Sequence, residues 1–168
     1  MRIQLVTPAL ANARNGNSIT ALRWKQILGQ LGHRVALEKH YNGAPCDLMI
    51  ALHARRSFES IRRFREKHPE LPLIVVLTGT DLYRDIRTSR HAQTSLKLAT
   101  RLVVLQSRGL AELPKPLRAK TRVIYQSAAR VNGRTPSAEN GLFKVCVVGH
   151  LRPEKDPLRT AMAAIPLP

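Results

Sequence analysis

The chain alternates short, strongly apolar segments with longer segments of helical character. The short segments are rich in Val, Ile and Leu and predict strands at Arg2–Thr7, Arg34–Glu38, Asp47–Leu52, Leu73–Thr78, Arg101–Gln106 and Arg122–Gln126. Several are apolar at nearly every position, as is typical of strands covered on both faces. Between them lie predicted helices at Thr20–Leu31, Phe58–Lys67 and Ser89–Thr100. This alternation predicts an α/β fold with a doubly wound parallel sheet and right-handed crossovers.

A change of composition near residue 130 divides the chain. Residues 1–129 hold the six predicted strands and are expected to form the first domain. Residues 130–141 are small, polar and rich in turn formers, which is typical of a linker. A new unit is predicted at 142–168, with a strand at Phe143–Val148 and a helix from about Leu158 to Ile165. Because one strand and one helix make only the beginning of a domain, we expect the chain to be an N-terminal fragment.

The charge and composition narrow the classes of partner. The chain of 168 residues has 28 Lys and Arg against 11 Asp and Glu, a formal net charge of +17. The cations are dispersed and only 4% of residues are aromatic, which argues against a nucleic-acid binder that stacks bases. No apolar run approaches the roughly 18–20 residues that span a bilayer. We therefore expect a cytoplasmic protein without stable membrane insertion or a nucleic-acid partner, and with small anionic ligands.

The cysteines give no sign of a metal site. Cys46 and Cys146 are far apart, and neither has a Cys or His at metal-ligand spacing. Both are interpreted as small apolar residues. We predict that the protein has no metal and no cofactor.

The loops that follow the strands are the candidate site, because ligands of parallel sheets collect beyond the carboxyl ends of the strands. After the first strand come Gly16, Asn17, Thr20 and Arg23. Asn17 or Ser18 is a predicted helix N-cap, and free N–H groups there would favour a phosphate. The alternative is an ordinary capped helix without a ligand.

Two further loops carry polar residues at the same predicted edge. His53, Arg55 and Arg56 follow the third strand, where the two arginines would bind an anion or simply lie in solvent at the start of a helix. His53 is assigned a binding role before a catalytic one. After the fourth strand, Gly79 permits a tight turn, and the hydroxyls of Thr78 and Thr80 are candidate donors to phosphate or sugar oxygens. Asp81 either accepts from a sugar hydroxyl or caps the next helix.

The last candidate lies in the second unit. A strand ending near Val148 runs into Gly149 and His150, followed by Arg152, Lys155 and an Asp-Pro pair that could open a helix. Glycine, cations and a helix N-terminus in this order favour a phosphate group. A solvated turn is the alternative.

These motifs together resemble glycosyltransferases of the GT-B fold, of the family-4 type. The similarity rests on the glycine loop after the first strand, the turn Leu31-Gly32-His33-Arg34-Val35, and Val148-Gly149-His150-Leu151-Arg152-Pro153-Glu154-Lys155. A narrower set is similar to the selenosugar synthase family of selenoneine biosynthesis. It comprises Gly16-Asn17-Ser18-Ile19-Thr20-Ala21-Leu22-Arg23-Trp24, Leu52-His53-Ala54-Arg55-Arg56-Ser57, Leu77-Thr78-Gly79-Thr80-Asp81-Leu82-Tyr83 and His150–Pro157.

The resemblance implies a fold, a reaction and a separate role for each of two domains. It implies two Rossmann-like domains, of which residues 1–129 would be the acceptor-side one and 142–168 the start of the nucleotide-sugar domain. It implies transfer of a sugar from a UDP-sugar to selenophosphate, with Gly149, His150, Arg152 and Lys155 on the donor diphosphate. The alternatives are a family-4 transferase with a lipid or sugar acceptor, and a fragment without catalytic activity. The catalytic residue is left unassigned.

Overall fold

The computed structural model describes residues 1–9, 15–128, 146–148 and 156–165. Contacts between Cα atoms divide the chain into two units, Met1–Ala129 and Arg130–Pro168.

The first unit is built on a six-stranded sheet in which every pair of neighbouring strands is parallel. The strands are β1 Arg2–Val6, β2 Arg34–Glu38, β3 Leu48–Leu52, β4 Leu73–Leu77, β5 Arg101–Val104 and β6 Thr121–Val123. Their order across the sheet is β2-β1-β3-β4-β5-β6. The predicted α/β class and parallel sheet are therefore confirmed. β5 ends at Val104 and β6 at Val123, before the predicted ends at Gln106 and Gln126.

Helices connect most of the strands. They are α1 Gly16–Gln30, α2 Phe58–Lys67, α3 Ile86–Thr88, α4 Arg90–Leu98 and α5 Lys115–Arg118, with a π-helical segment Asp81–Asp85 before α3 and a 3₁₀ turn at Ser107–Leu110. The three helices expected from the sequence are present. The short segments from Asp81 to Thr88 and from Ser107 to Arg118 were not predicted, because they have no apolar periodicity long enough to detect.

The sheet has an apolar core on each face. On one face Ala21 and Trp24 of α1 pack against Ile3, Leu5 and neighbouring strand residues. Trp24 is therefore a packing residue in this structure. On the opposite face Phe64 of α2 and Leu96 of α4 belong to the larger buried cluster. Helices on both faces leave the strand ends as the place where polar loops are exposed.

Little of the second unit is described. Cys146–Val148 are not in a strand, so this part of the predicted strand Phe143–Val148 was wrong, and residues 143–145 lie outside the described ranges. The predicted helix is present as α6 Arg159–Ala164. The predicted linker 130–141 also lies outside them. Across the described ranges, no helix is long and apolar enough to cross a membrane.

Candidate functional site

The strand order contains one reversal, and it locates the site. From β1 the chain passes to β2 on one side and then returns to β3 on the other. Loops after β1 and β3 therefore diverge at the carboxyl edge, and such a switch point is where doubly wound sheets bind ligands. The loop after β4 lies beside that of β3, since these strands are neighbours.

The N-terminus of α1 is capped by its own chain. Asn15, not Asn17 or Ser18, is the N-cap: its Oδ1 accepts the N–H groups of Asn17 and Ser18, both at 3.1 Å. The Ser18 hydroxyl completes a capping box with the Asn15 backbone N–H at 3.3 Å. The predicted cap position was thus wrong. Two of the N–H groups expected to face a phosphate are already occupied, and a side chain at Gly16 would meet nothing within 4 Å.

The next two predicted residues of α1 contact the segment after β6. The Thr20 hydroxyl lies 2.8 Å from the Gly16 carbonyl oxygen, to which it donates, and accepts from Gln126 Nε2 at 3.1 Å. Arg23 Nε donates to the Ser127 hydroxyl at 3.1 Å. These hydrogen bonds hold the segment that follows β6 against helix α1. In the described residues, Thr20 and Arg23 act first as structural links.

The loop after β3 has a strained backbone. His53 has φ of 71°, a left-handed conformation that is uncommon outside glycine, and it is only 2% exposed. Its backbone N–H donates to the Val76 carbonyl oxygen at 2.9 Å, which holds it against β4. Strain of this kind persists where surrounding contacts enforce it and clusters at functional sites.

Asp81 ties this loop to the one after β4. Its fully buried carboxylate accepts the backbone N–H of Ala54 at 2.9 Å on Oδ2, and those of Thr78 at 3.0 Å and Gly79 at 2.9 Å on Oδ1. Gly79 has φ of 149°, which a residue with a Cβ rarely adopts. Both oxygens of Asp81 thus accept from the backbone of the two loops, and the N-cap of the following helical segment is Thr80, whose side chain makes no cap hydrogen bond.

A hydrogen-bond relay runs from Arg56 through His53 to Thr80. The Arg56 backbone N–H donates to His53 Nδ1 at 3.4 Å, and His53 Nε2 lies 3.3 Å from Thr80 Oγ1. Because Nδ1 accepts, the network assigns the ring proton to Nε2, which donates to Thr80. Thr80 Oγ1 then keeps its own hydrogen, and it has no acceptor for that hydrogen within the described ranges. The relay therefore presents one O–H donor at the edge of the sheet.

Burial controls the charge of His53. It lowers the pKa of the imidazole, and Arg56 and Arg55 act in the same direction, while Asp81 and Asp85 oppose them. The neutral ring that results agrees with the tautomer required by the relay. His53 Nδ1 and Asp81 Oδ2 are 3.9 Å apart, too far for a hydrogen bond.

The two arginines after β3 have different surroundings. Arg55 Nε donates to the buried carboxylate of Asp85 at 2.8 Å, and Arg84 Nε donates to the other oxygen at 3.2 Å. Burial alone would raise the pKa of Asp85, but these hydrogen bonds outweigh it and lower the pKa. The guanidinium of Arg56 has no partner in the parts of the chain that the structure covers. Of the two arginines considered from the sequence, Arg56 is thus the one whose guanidinium is available in those residues.

The start of α2 adds a second attraction for anions beside Arg56. The Ser57 hydroxyl donates to the Leu52 carbonyl oxygen at 2.6 Å and makes no cap hydrogen bond to the helix. The positive end of the α2 dipole therefore lacks the side-chain cap that α1 has. The start of α2 is only partly free, because the Phe58 N–H donates to the Arg55 carbonyl oxygen at 3.4 Å and Glu59 lies in the first turn.

Known families do not identify the chain. No protein-family model matches it. No curated protein matches it either.

The structure brings together only part of the predicted site. His53, Arg55, Thr78, Gly79, Thr80 and Asp81 form one connected loop pair. Gly16, Asn17, Thr20 and Arg23 lie on α1, on the other side of the switch point. Gly149, His150, Arg152 and Lys155 lie outside the described residues. Among those that are described, no group of His, Cys, Asp and Glu side chains is placed to hold a metal ion.

Proposed function

We propose that the first unit is the acceptor-side domain of a GT-B glycosyltransferase, and that its acceptor is selenophosphate. The observation that carries the proposal is the coincidence, at the switch point, of the Arg56 guanidinium, the donor hydroxyl of Thr80 and the N-terminus of α2, which has no side-chain cap. The resemblance of the motifs to selenosugar synthases supplies the identity of the nucleophile.

The geometry suits a compact oxyanion. A cation beside a helix N-terminus is unfavourable by itself, since both are positive, and an anion between them relieves the repulsion. In the proposed complex, phosphate oxygens accept from the guanidinium of Arg56 and from the Thr80 hydroxyl. His53 acts as a positioning residue, because it is buried and orients Thr80.

The proposed reaction needs no base at the nucleophile. Selenium of the selenophosphate anion attacks the anomeric carbon of a UDP-sugar, the Se–C bond forms, and the C–O bond to UDP breaks with its electron pair leaving on UDP. The protein's part is to orient two anionic substrates and to neutralise charge. Gly149, His150, Arg152 and Lys155 are proposed for the leaving diphosphate from the resemblance alone.

The test is binding of selenophosphate, measured by anaerobic calorimetry, to the protein and to Thr80→Val. Valine keeps the shape and removes the donor, so affinity should fall about tenfold, whereas Thr80→Ser should stay close to the parent. Arg56→Gln should weaken binding at least as much, while Lys97→Gln, a matched loss of one exposed charge on α4, should not. Equal affinity in all variants would refute the acceptor site.

Turnover is tested separately with selenophosphate and UDP-N-acetylglucosamine. The proposal expects release of UDP that requires both substrates and is slowed in Arg56→Gln. Tight selenophosphate binding with no UDP released by a verified full-length polypeptide, from any UDP-sugar, would leave the site intact and refute the transferase.

A further inference from the structure

An apolar hollow lies on the first unit, on the face of the sheet that α1 covers in part. Its volume is about 280 Å³, close to the lower end of the roughly 300–1,000 Å³ that small-molecule sites occupy. We call it the α1-side hollow, and its wall includes Ile3, Trp24, Leu28, Ile50, Ile74 and Val103. None of the residues of the candidate functional site lines it.

The hollow exists because the helices of the first unit are divided unequally between the two faces of the sheet. Side chains of α2, α3, α4 and α5 belong to the core on the opposite face. Of the described helices in this unit, only α1 contributes side chains to the core on the near face. Because α1 packs beside β1 and β2, Ile74 of β4 and Val103 of β5 have no helix above them. A buried parallel sheet normally carries helices on both faces.

The hollow is open to water, although its wall is apolar. Ile50 and Val103 are only 3% and 4% exposed. Trp24 and Ile74 are half-buried, and Ile124, which also lines the hollow, is exposed. An apolar ligand that covers these side chains removes apolar surface from water, which is favourable.

Two arginines lie on the same face of the sheet, beside the hollow. Arg101 is the register partner of Ile74, and Arg122 is the register partner of Val103. Register partners in a parallel sheet point to the same face, and their strands are roughly 4.8 Å apart. Both arginine side chains therefore begin next to the wall of the hollow, and both are exposed.

These two arginines have no acidic partner. The guanidinium of Arg101 donates to the Thr100 carbonyl oxygen at 3.0 Å, and that of Arg122 donates to the Thr121 carbonyl oxygen, also at 3.0 Å. Within the part of the chain that the structure describes, neither arginine forms an ion pair. Burial lowers the pKa of the Lys120 ammonium group, and Arg101 acts in the same direction. Positive charge thus accumulates at this edge, and an anion bound there would offset it.

We propose that the α1-side hollow binds a medium-chain fatty acid, which combines an apolar chain with one carboxylate. The chain lies against Ile50, Ile74 and Val103, and the carboxylate pairs with Arg101 and Arg122 at the side of β5 and β6. A carboxylate has two oxygens, so it accepts from both guanidinium groups. This site is separate from the transferase site and does not depend on the proposed function.

The test uses octanoate as the ligand and Trp24 as the reporter. Trp24 is the only tryptophan of the chain and lines the hollow, so its fluorescence should change saturably as octanoate is added to the full chain. Hexanoate should bind about fifteenfold more weakly, because each of the two missing methylene groups contributes roughly fourfold in affinity when buried. No saturable change in fluorescence, or equal affinity for the two acids, would overturn the proposal.

A double variant and an uncharged ligand test the two arginines. Arg101→Gln combined with Arg122→Gln should weaken octanoate about fivefold, as expected for exposed ion pairs, and should leave 1-octanol unchanged. The matched control, Arg90→Gln with Lys97→Gln, removes two exposed charges from α4 on the opposite face and should change neither ligand. Both arginines of the site are exposed, so the double variant should fold. Unchanged octanoate affinity, or an equal loss for both ligands, would refute the carboxylate contact and with it the site.

A second copy of the chain is the competing occupant of this apolar face. Sedimentation velocity should show a monomer both with and without octanoate. A dimer that octanoate dissociates would mean that the face serves self-association, and would overturn the proposal of a ligand site.

Discussion

At the scale of single residues, Asp81 contributes most to the geometry of the candidate functional site. Its two oxygens accept backbone N–H groups from both loops and are fully shielded from water. A buried carboxylate saturated in this way holds the left-handed His53 and the positive-φ Gly79 in place. The sequence offered a sugar contact or a helix cap for Asp81, and the structure shows a third use.

Asp81→Asn should therefore destabilise the protein. An amide retains one acceptor oxygen and turns an N–H₂ toward a backbone donor, which leaves at least one buried N–H unpaired. The free energy of unfolding should fall by about 1–3 kcal/mol in urea denaturation. Glu59→Gln, which breaks an exposed ion pair with Arg62, is the control and should cost less than about 1 kcal/mol. Similar small losses in both variants would contradict the structural role of Asp81.

The pKa of His53 provides the second prediction at this scale. Because burial lowers it, the ring should titrate below its ordinary value of about 6.5 when followed by NMR. As pH falls, His53 is protonated in the unfolded chain at a higher pH than in the folded protein. The contribution of the neutral ring to the free energy of unfolding is therefore complete above about pH 6.5 and is lost as pH falls below that value.

His53→Asn is the matched variant for this pH dependence. Asparagine tolerates the left-handed backbone and does not titrate. Its stability should change less than that of the parent between about pH 7 and 5. A midpoint for His53 at or above 6.5, or identical pH profiles, would contradict the assignment of a neutral ring.

At the scale of secondary-structure elements, helices α1 and α2 differ at their N-termini, because α1 has a side-chain cap and α2 does not. Asn15→Ala should lower the free energy of unfolding by about 0.5–2 kcal/mol, measured by urea denaturation, because it removes the acceptor of two N–H groups. Asn15→Asp keeps an acceptor and adds a favourable charge near the N-terminus, so it should match or exceed the parent. If both variants behaved alike, the cap would not be Asn15.

These elements also show what sequence reasoning reached. The six strands were predictable because each is a short segment rich in Val, Ile or Leu, and β3 and β4 are apolar at every position. The cap of α1 was not, since Asn15, Asn17 and Ser18 are all competent acceptors and only the path of the chain selects one. Nor could Arg55 be told from Arg56: the choice depends on Asp85, thirty residues away, folding against Arg55. The local sequence pattern was enough to predict the loops, whereas the roles of their residues depend on contacts with residues far away in the sequence.

At the scale of the whole molecule, the charge of +17 gains a physical reason only if anions are its ligands. The described acidic groups are largely engaged by arginines, as at Asp47, Asp85 and Glu112. Capture of an anionic substrate should therefore weaken as ionic strength rises, because the Debye length falls from about 30 Å at 0.01 M to about 10 Å at 0.1 M. Selenophosphate affinity measured at those two salt concentrations should differ in that direction.

The most direct test of the account is a ¹H–¹⁵N NMR titration of the protein with selenophosphate. We expect saturable shifts centred on residues 53–60 and 78–81, at the end of the sheet where β3 and β4 finish, with residues 2–4 and 34–36 at the opposite end of the sheet unaffected. The same titration with Arg56→Gln should lose most of these shifts. Shifts that centre elsewhere, or that persist unchanged in that variant, would contradict the placement of an oxyanion site at the switch point.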